Sequence, residues 1–290
     1  MDVQIIANGI NASVTIALVA CGFGLFYRVH RFFHIAHAMV IASGAYGTQV
    51  AWKWFGVSPL SSILCGIVTA CAAGCVIEAA VYRTLRVKGA GPLVLLIASV
   101  GVFVFLQNVA ALVFGNDPLP ILEGPARTVS VLGARVSWIQ ITALIATVAL
   151  LLGTHLVLRW TGFGLAIRAI ADDPHLADLL GLPAERGRSL TAVLASGLGG
   201  VAGIVLALET AASPLMGLGP LMFGVVAFIV GGGGLLGTVL AALLLGLTQH
   251  LGAWVIGSQW QDAIAFIVLL AFLLVRPEDF LGKKLRKAAV

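Results

Sequence analysis

Residues 220–256 read PLMFGVVAFIVGGGGLLGTVLAALLLGLTQHLGAWVI, and the way this block divides decides the fold. It holds no Asp, Glu, Lys or Arg, and a membrane-spanning helix needs about 20 apolar residues. Glycine disfavours a helix interior by about 1 kcal/mol per residue relative to alanine, so Gly231–Gly234 is read as a break. Two spans result, 220–233 and 235–256, the first of them short for a crossing.

Read outward from there, hydropathy predicts further spans at 5–26, 35–54, 60–81, 92–114, 137–158, 189–208 and 260–275. With 60% apolar and 10% charged residues and a mean hydropathy of +1.07, the chain lies far outside the range of soluble domains. The expected fold is all-α: a single transmembrane domain, 1–290, forming a polytopic helical bundle with about eight or nine spans. Broken or re-entrant helices are part of that expectation.

Orientation follows from Lys and Arg in short loops. The N-terminus, MDVQ, carries none. Arg28 and Arg31, Arg83 to Lys88, Arg159 to Arg188, and Arg276 with the KKLRK tail are basic. They alternate correctly with the N-terminus outside and the C-terminus in the cytoplasm, which requires an odd number of crossings. A basic n-region and a small-residue cleavage site are absent, so the first span is expected to stay as an anchor. The net charge of +5 reflects this positive-inside bias and gives no argument for nucleic acid. All four cysteines fall in predicted spans, where Cys acts as a small hydrophobe, and no disulfide is expected.

Three patterns suggest chemistry and are better read as structure. Gly232, Gly234 and Gly237 fit a dinucleotide-binding fingerprint, but no strand precedes them and no acidic residue follows at the right distance. Thr238 stands where a P-loop needs its lysine, so the chain has no ATP site of its own. His30, His34 and His37 fall at i, i+4 and i+7, on one helical face that could form a metal site, yet no Cys, Asp or Glu lies nearby to complete it. Glu78, Glu209 and Asp262 are the ionisable candidates inside spans, all near span ends and without a partner at helical spacing. No nucleophile, base and acid arrangement is found, so no enzyme is expected. Gly199 and Gly203 have the four-residue spacing that lets two membrane helices approach closely.

One long polar stretch interrupts the apolar pattern, RWTGFGLAIRAIADDPHLADLLGLPAERGR, residues 159–188. Asp173 suits a helix N-cap, Pro174 the first helical position and Gly181 the residue past the end. They predict a helix of about two turns, Pro174 to Leu180. So short a helix is marginal in water alone, and Leu176, Leu179 and Leu180 supply an apolar side for a soluble partner to cover.

With the island and its flanks assembled, the chain resembles the LivH-type permease subunit of bacterial ABC importers for branched-chain amino acids. The resemblance spans nearly the whole chain: FFHIAHAMVIASGAY (Phe32 to Tyr46), LIASVGVFVFLQNVAALVFG (Leu96 to Gly115), TGFGLAIRAIADDPHLADLLGL (Thr161 to Leu182), GLGGVAG, the Pro214 and Gly217 pair, and LLVRPEDFLGKK. It departs from the family pattern at His34, Ile35, Ala38, Phe223 and Gln249.

The resemblance implies that the 159–188 loop carries the ATPase-coupling helix, with Gly164, Arg168, Ala169, Asp172, Asp173, Ala177, Leu179 and Gly181 as coupling residues. It also implies a translocation path bordered by His34, His37, Gly44, Tyr46, Gln107, Pro214 and Gly217. The implied partners are a LivM-type second permease subunit, two cytosolic ATPases that hold ATP and Mg, and an external solute-binding protein, all at the bacterial inner membrane. No cofactor is expected in this chain. The competing readings are an ABC permease for urea or short amides, and a stand-alone carrier or channel. A carrier would call for paired intramembrane charges or an inverted repeat, and neither is seen in the sequence.

Overall fold

The computed structural model describes residues 2–122, 124, 127–131 and 133–275; the basic tail expected in the cytoplasm lies outside them. Helix α1 runs over Asp2–His30. Every residue from Ser13 to Phe26 is buried, because this stretch is apolar on all sides and such a helix belongs at the centre of a bundle. Around it stand α9 (Ala184–Glu209), α10 (Leu218–Val230) and α11 (Leu235–Ile256). Helix α2 (His37–Gln49) ends in a π-helical turn at Val50–Trp54. Helix α3 (Pro59–Ile77) continues through a second π turn, Glu78–Tyr82, into α4 (Arg83–Val87). Helices α5 (Pro92–Phe114), α6 (Trp138–Trp160) and α12 (Gln261–Val275) complete the apolar set.

Six of these helices are long and apolar enough to cross a membrane: Val3–His30, Pro59–Val87, Pro92–Phe114, Trp138–Trp160, Ala184–Glu209 and Leu235–Ile256. The outward faces of α3, α5 and α6 are apolar, with Phe105 66% and Leu112 85% exposed, as suits side chains that meet lipid. The short seventh span is α10, with 13 residues. At 1.5 Å per residue it covers about 20 Å of a hydrocarbon layer roughly 30 Å thick.

Two helices begin deep inside the bundle. After α1 ends at His30, Arg31 takes a left-handed conformation (φ 60°) and the chain turns back, so that α2 starts with His37 packed against Gly22 and Gly199. Gly22 lies eight residues, about 12 Å, back along α1. Likewise Gly217, at the head of α10, sits on the Ala38 carbonyl. The expected broken helices are therefore α2 and α10, and their N-termini meet.

Small residues let α2, α3 and α9 pack backbone to backbone. A Cβ on Gly44 would stand 2.5 Å from the Gly200 oxygen, and one on Gly203 would stand 1.9 Å from the Ile41 oxygen. That bears out the reading of Gly199 and Gly203 as a helix-packing pair.

Among the described residues, the fold departs from all-helical in a hairpin of β1 (Thr128–Val131) and β2 (Ala134–Ser137) and in a single antiparallel bridge between Leu119 and Ala212. The hairpin's signal was in the sequence, as alternating Val129, Val131 and Val136 about Gly133, whose φ of 87° suits a tight turn. Gln4 bonds to the Arg135 backbone and Asn11 to Glu209. The start of α1, the hairpin and the end of α9 therefore share one end of the bundle. Arg31 bonds to the Ala171 carbonyl and Arg86 to Glu185. The basic segments 28–31, 83–88 and 159–188 thus share the opposite end.

Candidate functional site

The polar island folds into two helices, one more than its caps predicted. Helix α7 (Gly162–Asp172) is capped by Thr161, whose hydroxyl accepts from the Gly164 N–H at 3.0 Å. Its Gly164, Ile167 and Ile170 are buried, a three-residue spacing legible in the sequence, and the two isoleucines pack with Leu25 and Val29 of α1. Helix α8 (Pro174–Leu179) follows immediately. Asp173 Oδ1 accepts from the N–H groups of His175 and Leu176 at 2.9 and 3.1 Å. Gly181, at φ 82°, terminates the helix as the left-handed C′ residue.

The eight residues expected to couple sort by their place in the fold. Gly164 has no room for a side chain, since a Cβ would stand 2.4 Å from the Val157 and Leu158 oxygens. Asp173, Ala177 and Gly181 build the cap, the packed side and the stop of α8, while Ala169 is half-buried. Arg168, Asp172 and Leu179 face outward. Leu176, Leu179 and Leu180 are 53%, 76% and 72% exposed, so the loop is anchored on the bundle by one face and presents leucines on the other. Asp178 accepts from the Ala184 N–H at 2.8 Å, joining α8 to the first residue of α9.

Glu78, without a partner by sequence spacing, has two in the structure. Arg86 lies eight residues on, which overshoots two α-helical turns by about 80°. The wider π turn at Glu78–Tyr82 takes up the extra residue and brings Arg86 round to pair with Glu78. His30 Nε2 approaches the other carboxylate oxygen at 3.2 Å. Arg86 also meets Glu185 at 2.8 Å, and Glu185 pairs with Arg188. This network ties the ends of α1 and α3 to the start of α9. It also corrects the histidine reading: His30 closes α1, His34 lies in the turn and His37 opens α2, so the three share no helical face.

The proposed path residues fall in several places. His34 bonds through Nδ1 to the Tyr82 hydroxyl at 2.9 Å. His37 is fully buried, with no hydrogen-bond partner for either ring nitrogen among the described residues, and the next residue, Ala38, meets Gly217 where α2 and α10 come together. Gly44 is spent on the contact with α9. Tyr46 stacks on Phe114 with ring centroids 4.3 Å apart and lines an apolar groove of about 480 Å³ between α2, α3 and α5. Gln107 is half-buried on α5 and lines neither that groove nor the polar cavity. Pro214 is buried in the segment that re-enters the bundle ahead of α10.

That polar cavity, of about 490 Å³, opens near the hairpin end. Asn8, Asn11 and Thr15 of α1 face it, with Glu209, Phe223, Gln249, His250 and Asp262 from α9 to α12. Glu209, Phe223, Gln249 and Asp262 carry no spacing along the chain that joins them. The cavity's signal in the sequence was the seven-residue polar stripe of Asn8, Asn11 and Thr15 on an otherwise apolar helix.

Comparison with known proteins points one way. A family described as "Branched-chain amino acid transport system / permease component" matches residues 5–273. The chain is 31% identical to the high-affinity branched-chain amino acid transport system permease protein BraD of Pseudomonas aeruginosa, over 97% of this chain and 95% of the relative. It is 28% identical to the LivH permease protein of Escherichia coli K12, over 95% and 94%. A probable LivH permease of Methanocaldococcus jannaschii shares 25%, over 98% and 95%. A chain of the solved PsaBC assembly from Streptococcus pneumoniae superposes over 96% of this chain and 94% of its own length, with a TM-score of 0.54 at 13% identity, and so shares the fold.

Proposed function

The chain belongs to the family of permease components of branched-chain amino acid transport systems, and from that premise we propose that it is the membrane-spanning subunit of an ABC importer for branched-chain and other hydrophobic amino acids. Two cytosolic ATPases supply the energy, with ATP and Mg held on them, a LivM-type second permease completes the membrane part, and an external binding protein delivers the solute. The observation that carries this reading is α8, a helix too short to persist alone, fastened to the bundle on one face and exposing three leucines on the other.

The route from α8 into the spans supports the coupling role. Asp178 holds the start of α9, Glu185 in α9 holds Arg86, Arg86 holds Glu78, and Glu78 meets His30 at the end of α1. At the inner end of this route, where Glu78 is 1% and Arg86 12% exposed, charged contacts are costly to leave unpaired, so a displacement that reaches Glu185 is passed on more readily than it is absorbed. The buried, unpartnered His37 and the junction of α2 with α10 lie one step further in, where two helix N-termini place backbone dipoles near the middle of the bundle.

The test is reconstitution with the ATPases and the binding protein. Leucine uptake is expected to require ATP, and uptake that persists without ATP and follows an ion gradient overturns the reading. The same reading puts the basic end in the cytoplasm of a bacterial inner-membrane protein, with the N-terminus and hairpin outside. In a cysteine-free background in intact cells, Ser130→Cys is expected to react with an impermeant maleimide and Leu165→Cys only after lysis. The opposite labelling pattern would reverse the orientation.

A further inference from the structure

We propose that the polar cavity at the hairpin end binds a primary ammonium group, the amino end of an apolar amino acid entering the protein. This rests on the transport reading and narrows it to one face of the bundle. The groups that line the cavity are biased toward acceptors. Glu209 and Asp262 bring two carboxylates, and among the described residues no Lys or Arg lines the space. Asn11 Nδ2 donates to Glu209 Oε1 at 2.8 Å, which leaves Asn11 Oδ1 buried without a partner.

Gln249 is the decisive side chain. It is 4% exposed and lines the cavity, and its amide nitrogen donates to the Gln261 carbonyl at 3.3 Å. That bond engages the nitrogen half of the amide, and no described residue donates to its carbonyl oxygen. His250 Nδ1 lies 3.0 Å from the Gly246 carbonyl. A carbonyl only accepts, so the proton of a neutral ring sits on Nδ1 and Nε2 keeps its lone pair. The Thr210 hydroxyl donates to the Leu206 carbonyl.

Carboxylates, idle amide oxygens and an imidazole lone pair call for a ligand with several N–H donors and positive charge. An ammonium group has three donors and makes charge-assisted bonds. A free carboxylate meets like charge there, while a neutral amide balances neither anion. Asn8 and Gln140 add only neutral amide donors. Ile16, Leu206 and Phe223 form an apolar wall, which a bare metal ion has no use for and an aliphatic side chain covers.

The test uses the full assembly in vesicles, in a cysteine-free background carrying Ala12→Cys, a residue that lines the cavity. Millimolar isopentylamine is expected to slow thiol modification about threefold or more, and 4-methylpentanoate and calcium to leave it unchanged. Glu209→Gln with Asp262→Asn is expected to remove that protection and to lower leucine uptake about tenfold at saturating binding protein, while the ATPase still co-purifies. If the double variant does not assemble, Gln249→Lys serves in its place: its tethered ammonium is expected to fill the site and abolish protection. Equal protection by the acid, protection by calcium alone, or wild-type uptake in the double variant overturns the proposal. Amine protection in a wild-type assembly that imports no leucine upholds the site and overturns the transport reading instead.

Discussion

Leu179→Asp is expected to uncouple ATP hydrolysis from uptake while leaving the folded permease intact. Leu179 is 76% exposed in the isolated chain, so a carboxylate there stays hydrated and costs the bundle little. In a docked complex the same carboxylate enters a desolvated pocket without a partner, a cost of about 2–5 kcal/mol, or roughly 30-fold or more in docking affinity. Leu179→Ala removes contact without adding charge and is expected to cost about 1–2 kcal/mol. Arg168 and Asp172 are exposed on α7, and as charges at a rim they are expected to affect register more than affinity. Asp178 belongs to the frame, through its bond to Ala184. Substrate-stimulated ATP hydrolysis and uptake, measured together in vesicles, check the result. Wild-type coupling in a correctly folded Leu179→Asp protein would sink the docking role of α8.

Gly203→Ala is expected to destabilise the bundle itself, by roughly 3 kcal/mol or more. The added Cβ would stand 1.9 Å from the Ile41 carbonyl oxygen, a backbone atom in a packed helix that has no rotamer to change. Moving α9 off α2 also loosens Gly199 from His37 and Gly200 from Gly44. Between helices in lipid there is little hydrophobic force to make up for lost packing. For a chain of this size the loss corresponds to a fall in unfolding midpoint of roughly 6–12 °C in detergent. Gly101→Ala is the control, since nothing lies within 4 Å of a Cβ there. A midpoint for Gly203→Ala equal to that of Gly101→Ala would remove the close-packing argument.

What the sequence determined alone were features set by neighbours along the chain. Apolar length specified six of the nine expected spans, the four glycines specified the break between α10 and α11, and Asp173, Pro174 and Gly181 specified α8 to within a residue, because capping is satisfied within a turn of where it is encoded. Helix α7 and the hairpin were equally local and went unread, their signals being a three-residue apolar spacing and a short alternation beside a glycine. The tertiary structure alone decided the rest. It gave Glu78 its partners, since His30 is distant in sequence and Arg86 reaches it only through a π turn that no local propensity announces. It turned His34 and His37 inward by breaking the chain at Arg31. It also gathered Asn11, Glu209, Gln249 and Asp262 around one cavity, because burial and charge pairing depend on which helix faces meet, and those are chosen by packing over the whole bundle.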